Sequence, residues 1–293
     1  MKLFYSPEYV CGAYGFDTTR KAGWVADSLT ARPIRGIEMV APEPLTVPDI
    51  AQVHASHYVD AVRAGSPRVL AESQGFDWDP GLWTMVLASN GGVLAAARAA
   101  LEQGASGSLS SGLHHAKRER GEGFCTFNGL AIAAKALLAE GAVESVLILD
   151  LDAHCGGGTS QLIDEAPGIH QADVSVSHFD WYPETENSRL AMVTDADSYL
   201  PSTSAALHDA QNRGPYDLCL YNAGMDPYQG CPVGGLDGIT AEILAERERL
   251  VFDWCRSQGI PVAFVLAGGY IGSRLTESTL VNLHRLTVAE AAR

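Results

Sequence analysis

Residues 145–158 read SVLILDLDAHCGGG, a short apolar run that ends in Asp150, Asp152 and His154. Side chains alternate along an extended strand, so these three point to one side at its C-terminal end. Two carboxylates and an imidazole on a buried strand are costly to leave unpaired. A bound metal removes that cost for some of them. The plainer alternative is a strand end whose Asp residues cap the next helix beside a structural His. Three other groups bear on the choice. His114 and His115 follow a short strand at 107–111, Asp226 follows the apolar run 217–221, and Tyr270 follows the run 261–266. Parallel strands would bring all four groups to one sheet edge, where open α/β sheets bind ligands. That convergence favours the metal.

The elements that must position these groups alternate in type. Buried strands are expected at 2–5, 107–111, 145–149, 169–176, 217–221 and 261–266. Helical spacing runs over 18–29, 49–63, 84–102, 129–139, 204–212, 241–258 and 278–289. The segment 49–63 is the clearest short helix, with Ile50, Val53, Tyr58 and Val62 as its apolar stripe. Segments 66–83 and 177–200 read as long loops rich in aromatic and polar residues, which in a compact domain often carry function. The pattern predicts an α/β domain spanning 1–293, a parallel sheet with helices on both faces.

Composition narrows the function. The formal charge is −15, from 35 acids against 20 bases. That disfavours nucleic acid as a partner, since such binding needs clustered bases. It suits a cationic substrate, or simply solubility. There is no run of 18 consecutive apolar residues, so no membrane span is expected, and the N-terminal stretch lacks a signal-peptide core. Six cysteines without a C-x-x-C pair read as reduced, mostly buried thiols, which points to a cytoplasmic protein.

GLHHAKRERGEGFCTFN (112–128), DLDAHCGGG (150–158), NAGMDPYQGCPV (222–233) and LAGGY (266–270) together resemble the ordered motifs of zinc-dependent histone deacetylases and their bacterial relatives, which include acetylpolyamine amidohydrolases and acetoin-utilisation proteins. The RERGEGFC and DLDAH stretches are most similar to the class IV branch. The resemblance covers nearly the whole chain and implies the arginase/deacetylase fold, an eight-stranded parallel sheet flanked by helices. It implies that Asp152, His154 and Asp226 ligate Zn2+, with Fe2+ as the alternative ion. His114 and His115 match the tandem histidines beside the metal-activated water, Asp150 the carboxylate that orients the first of them, and Tyr270 the tyrosine that polarises the substrate carbonyl. Gly123 and Phe124 match one wall of an acyl-lysine tunnel, and Trp181 or Tyr182 is expected to supply the other. Ser175 and Val176, with Asp150 and the backbone of Asp152 and His154, match a K+ or Na+ site.

The activity so implied is hydrolysis of acyl-lysine or acetylpolyamine-like amides. Zinc would bring the pKa of a bound water towards ~7. One imidazole would take the water's proton and return it to the leaving amine. Three departures stand out. Cys155 and Gly157 replace a His and an Asp common in the family, so the carboxylate expected to orient His115 is missing unless another part of the chain replaces it. Cys231 stands where an Asp is usual, beside Pro232. Two alternatives follow: a catalytically weak or silent binder of acylated amines, or a two-manganese ureohydrolase on the same fold.

Overall fold

The computed structural model describes all 293 residues apart from the side chain of Thr18. The order of elements is β1 (Lys2–Phe4), α1 (Lys21–Ala31), β2 (Glu38–Val40), α2 (Val47–Ala51), α3 (Ser56–Ala64), α4 (Arg68–Ala71), α5 (Pro80–Gln103), β3 (Ala105–Ser108), α6 (Gly129–Ala139), β4 (Val146–Asp150), α7 (Gly157–Ile163), β5 (Ile169–Ser175), β6 (Ser188–Met192), α8 (Tyr199–Arg213), β7 (Leu218–Gly224), α9 (Ala241–Gln258), β8 (Val262–Ala267) and α10 (Glu277–Ala291). All eight strands pair in parallel, in the order β2-β1-β3-β8-β7-β4-β5-β6. The expected architecture is therefore observed, and all strand C-termini lie at one edge.

The central strands are apolar on both faces because both faces are covered. Along β4, Val146 and Ile148 join the core under α5 and α6, while Leu147 and Leu149 join the core under α1, α8, α9 and α10. Helix α5 is long and apolar enough by composition to cross a membrane, but 67% of its apolar window is buried inside the domain. It packs on β3 and α6, which accounts for its apolarity.

Two strands are not expected from the sequence: β6 lies in the segment read as a long loop, and β2 in a stretch to which no element is given. β2 and β6 are the two sheet edges, short and largely half-exposed or exposed. An edge strand buries little, so it carries no continuous apolar run. The helix expected over 49–63 is broken into α2 and α3, and α5 starts earlier than the apolar spacing indicated, at Pro80, with Asp79 as its cap. The break holds the buried His54. Its Nε2 accepts from the Asn128 N–H at 3.0 Å, so its Nδ1 is the donor to the Lys117 carbonyl at 2.8 Å. The Ala55 N–H donates to the Arg118 carbonyl at 2.8 Å. A continuous helix would spend the Ala55 N–H internally; the break turns it, together with the His54 ring, to the loop that carries His114 and His115.

Candidate active site

Beyond β4 the chain bends at Asp152 and Ala153 and bridges to Ser177 at His154, and Asp150, Asp152 and His154 still gather at this edge of the sheet. Asp150 Oδ2 accepts from His114 Nδ1 at 2.7 Å, and Asp150 Oδ1 accepts from the Asn222 amide at 2.8 Å and the Asp152 N–H at 3.1 Å. Asp152 Oδ1 lies 3.0 Å from His154 Nδ1, and Asp226 Oδ2 lies 3.1 Å from the same nitrogen. Asp152, His154 and Asp226 are all buried, and each offers one ligand atom within 4.8 Å of the others. Asp226 arrives from the turn after β7, its Oδ1 fixed by the Ala153 N–H at 2.9 Å.

The electrostatics of this cluster fit a cation. Burial first, then the Asp152 charge, pushes Asp226 up to about 6. Burial works against a charged His154, but the two carboxylates overcome it and raise the imidazole to about 10. Asp226 Oδ2 has no hydrogen-bond donor although it is buried. Two carboxylates and one imidazole around a single point are a donor set for a borderline divalent ion such as zinc.

The paired histidines differ in their surroundings. Burial lowers both, but Asp150 and Asp152 reverse the effect at His114 and raise it to about 10. His115 is lowered to about 4, by burial and then by the His114 charge. Their ring centres are 3.9 Å apart. His115 does have a carboxylate partner. Asp180, from the loop after β5, accepts from His115 Nδ1 at 3.0 Å, takes the Gly158 N–H at 3.0 Å, and pairs with Lys117 Nζ at 2.9 Å. The sequence reading passed over Asp180 because nothing in a lone Asp of a long loop marks what it meets.

Tyr270 stands after the Gly268-Gly269 turn, close enough to Asp226 and Asp152 that, after burial, their charges raise its hydroxyl pKa further. The turn needs glycine: Gly268 has φ 53°, and a Cβ there would meet Asp226 carboxylate atoms at 2.1–2.4 Å. The buried Lys21 amine donates to the Gly268 carbonyl and is lowered to about 8 by burial. It went unnoticed in the sequence, although a lysine in register with the apolar stripe of α1 is a visible oddity.

The aromatic surround is only partly the one expected. Gly123 lies against His115, where a Cβ would meet its ring at 2.4 Å, and Phe124 packs on Phe16 with ring centres 4.6 Å apart. Phe16 also reaches Tyr270 at 5.6 Å. The opposite wall is neither Trp181 nor Tyr182. Tyr182 is buried with its hydroxyl 3.2 Å from Asp173, and Trp181, 57% exposed, lines an outer groove with Arg118 and Gln161. Phe179 faces the site instead, edge-on to His115 at 4.9 Å and to His154 at 5.9 Å. The chain turns sharply at Asp180, φ 57°, and sends the residues on its two sides in different directions. Ser175, expected near a monovalent cation, donates to Asp173 Oδ1 at 2.5 Å.

The two cysteine departures are benign. Burial raises Cys155 and Cys231 each to about 12, so both stay protonated thiols. Cys155 Sγ donates to the Ser177 carbonyl at 3.3 Å and Cys231 Sγ to that of Val233 at 3.2 Å.

Similarity to known proteins bears on the family and the fold. The histone deacetylase domain family matches residues 15–286. An uncharacterised protein of Picosynechococcus is 34% identical over 222 residues, 74% of each chain. Histone deacetylase 2 of Arabidopsis thaliana is 31% identical over 207 residues, 67% of this chain and 52% of that one. The crystal structure of an acetylpolyamine aminohydrolase from Burkholderia pseudomallei superposes with a TM-score of 0.79 at 18% identity, covering 99% of this chain and 98% of that one, which speaks for the fold. With four ordered motifs, one sheet edge and a family match over nearly its whole length, this chain belongs to the histone deacetylase family.

Proposed function

We propose that the protein is a zinc-dependent amidohydrolase that removes acetyl or other acyl groups from acyl-lysine or acetylpolyamine-like amines. The observation that carries this reading is the buried Asp152-His154-Asp226 cluster with Tyr270 and the His114-His115 pair around it. Zinc, or Fe2+, held by those three residues supplies water activation and polarisation of the amide carbonyl.

The chain's own residues do the rest. Tyr270 has a hydroxyl pKa far above neutrality, so it stays a donor and serves the developing oxyanion. His115 is neutral at pH 7 and so is the proton acceptor, with its Nδ1 occupied by Asp180. His114, held charged by Asp150, supplies positive charge beside the reacting centre and keeps the two histidines from sharing one role. Phe16, Phe124 and Phe179 exclude water and hold the acyl chain.

The silent-binder alternative drew its support from the missing carboxylate at position 157, and Asp180 removes that support. A two-metal ureohydrolase needs a second ligand cluster, and among the described residues the three-residue cluster above stands alone. The test is purified protein loaded with zinc, iron or manganese and assayed on acyl-lysine peptides, acetylated polyamines and guanidines. Amide hydrolysis with one metal per chain, lost in Asp226→Ala and blocked by a hydroxamate, is expected. Guanidine hydrolysis with two manganese ions, or amide hydrolysis by metal-free protein, refutes the reading.

A further inference from the structure

Gly157 and Asp180 are packed against each other. Gly157 opens α7, and a Cβ built on it would meet the Asp180 carbonyl oxygen at 2.3 Å and Asp180 Oδ1 at 2.6 Å. The space that a side chain at 157 would need is filled by Asp180. Asp180 itself sits in the left-handed region, φ 57°, which aspartate tolerates better than most non-glycine residues and which local contacts stabilise here. Three donors hold it: His115 Nδ1, the Gly158 N–H and Lys117 Nζ. Its neighbour Phe179 is tied separately, the Phe179 carbonyl accepting from the Cys155 N–H at 3.0 Å.

We propose that Asp180 is the positioning residue of His115, and that Gly157 and Asp180 are an exchangeable pair in which the carboxylate is delivered from the loop after β5 and glycine clears its place at the start of α7. The carboxylate accepts from Nδ1–H and so fixes the tautomer that leaves Nε2 free for the reacting centre. Lys117 takes the other oxygen, which keeps the carboxylate ionised and turned in one direction. The direct consequence for Gly157→Asp alone is a collision with both the Asp180 carboxylate and the Asp180 backbone carbonyl, so the exchange also needs the loop at 180 to shift, which glycine there allows. The catalytic consequence rests on the amidohydrolase reading; the geometry does not.

The experiment compares zinc-loaded wild type, Asp180→Gly and the exchange variant Gly157→Asp/Asp180→Gly. Four quantities are read: metal content, hydroxamate Kd, kcat and KM on an acyl-lysine peptide, and the His115 tautomer from ring nitrogen NMR shifts. Asp180→Gly should keep its metal and bind the hydroxamate within about threefold, lose the fixed Nδ1–H tautomer, and drop kcat by about 10–100-fold at little-changed KM. The exchange variant should regain the tautomer and at least about tenfold of the lost kcat. A wild-type tautomer and kcat in Asp180→Gly overturn the proposal. So does a loss of kcat that follows loss of metal or hydroxamate binding, or an exchange variant that folds but regains neither tautomer nor rate. Asp180→Gly alone decides the matter if the exchange variant does not fold. Should none of the proteins hydrolyse amides, the functional reading fails while the tautomer still tests Asp180.

Discussion

Tyr270 and the two glycines before it show how much a single residue depends on its neighbours. Gly268 is pressed against the Asp226 carboxylate, and its carbonyl is held by Lys21, so the tyrosine has little freedom. Burial, then the charges of Asp226 and Asp152, keeps its hydroxyl protonated, as befits a donor for a ligand. We expect Tyr270→Phe to lower kcat and kcat/KM together by ~10²–10³-fold, the usual cost of removing one oxyanion donor. Metal content and thermal stability should be unchanged. An unchanged kcat would take Tyr270 out of the mechanism. Among the described residues only Leu113, Phe124 and Asp180 carry a positive φ without being glycine, and all three flank the site. Strain of that kind persists where surrounding contacts over-determine it.

Elements meet the site through two buried side chains that the sequence did not single out. Arg247 of α9 donates to the Gly224 carbonyl at 2.7 Å and to the Leu151 carbonyl at 3.3 Å, and so ties the ends of β7 and β4, next to Asp152 and Asp226. Glu248 balances its charge and accepts from the Tyr221 hydroxyl at 2.9 Å. Arg247→Leu leaves Glu248 buried and without a cation, so unfolding in urea should show a loss of about 3–5 kcal/mol. Arg247→Leu/Glu248→Leu should recover much of it; a single variant as stable as wild type would contradict this account. His54 couples α2 and α3 to the histidine loop and is lowered to about 4, chiefly by burial. The unfolded chain binds its proton near pH 6.5, the folded one only near 4. Between those values the unfolded state holds more protons, so the His54 contribution is full above pH 6.5 and shrinks as the pH falls. At about 1.4 kcal/mol per unit this amounts to ~3 kcal/mol by pH 4. The stability difference between wild type and His54→Gln should therefore narrow by that order from pH 7 to pH 4.5, and a pH-independent difference would contradict it.

At the scale of the whole molecule the charge of −15 becomes a property of encounter rather than of fold. An acetylpolyamine would keep its unacylated ammonium groups, so an anionic protein would attract it, and that attraction is screened beyond a Debye length of ~10 Å at 0.1 M salt. If such an amine is a substrate, its kcat/KM should fall several-fold between low and high ionic strength. The value for an uncharged amide of equal acyl length should hardly move. Equal salt dependence for both would assign the charge to solubility alone.

The amino-acid sequence by itself determined the alternation of strands and helices, the parallel sheet and the three residues that gather as a candidate metal site. These are local signals: apolar runs with period two or 3.6, and polar side chains set where a strand ends. His114, Asp150 and Tyr270 were legible for the same reason, since each sits within a few residues of a buried strand. What the tertiary structure alone decided depends on contacts between distant segments. Edge strands β2 and β6 bury too little to leave a pattern. The break between α2 and α3 is made by hydrogen bonds to a loop some 60–70 residues away. Phe179, rather than Trp181 or Tyr182, faces the two histidines His115 and His154, beside a chain that turns with a positive φ at Asp180. The absence of a carboxylate at 157 reads as a loss along the chain and as an exchange in space, because Asp180 reaches His115 across 65 residues.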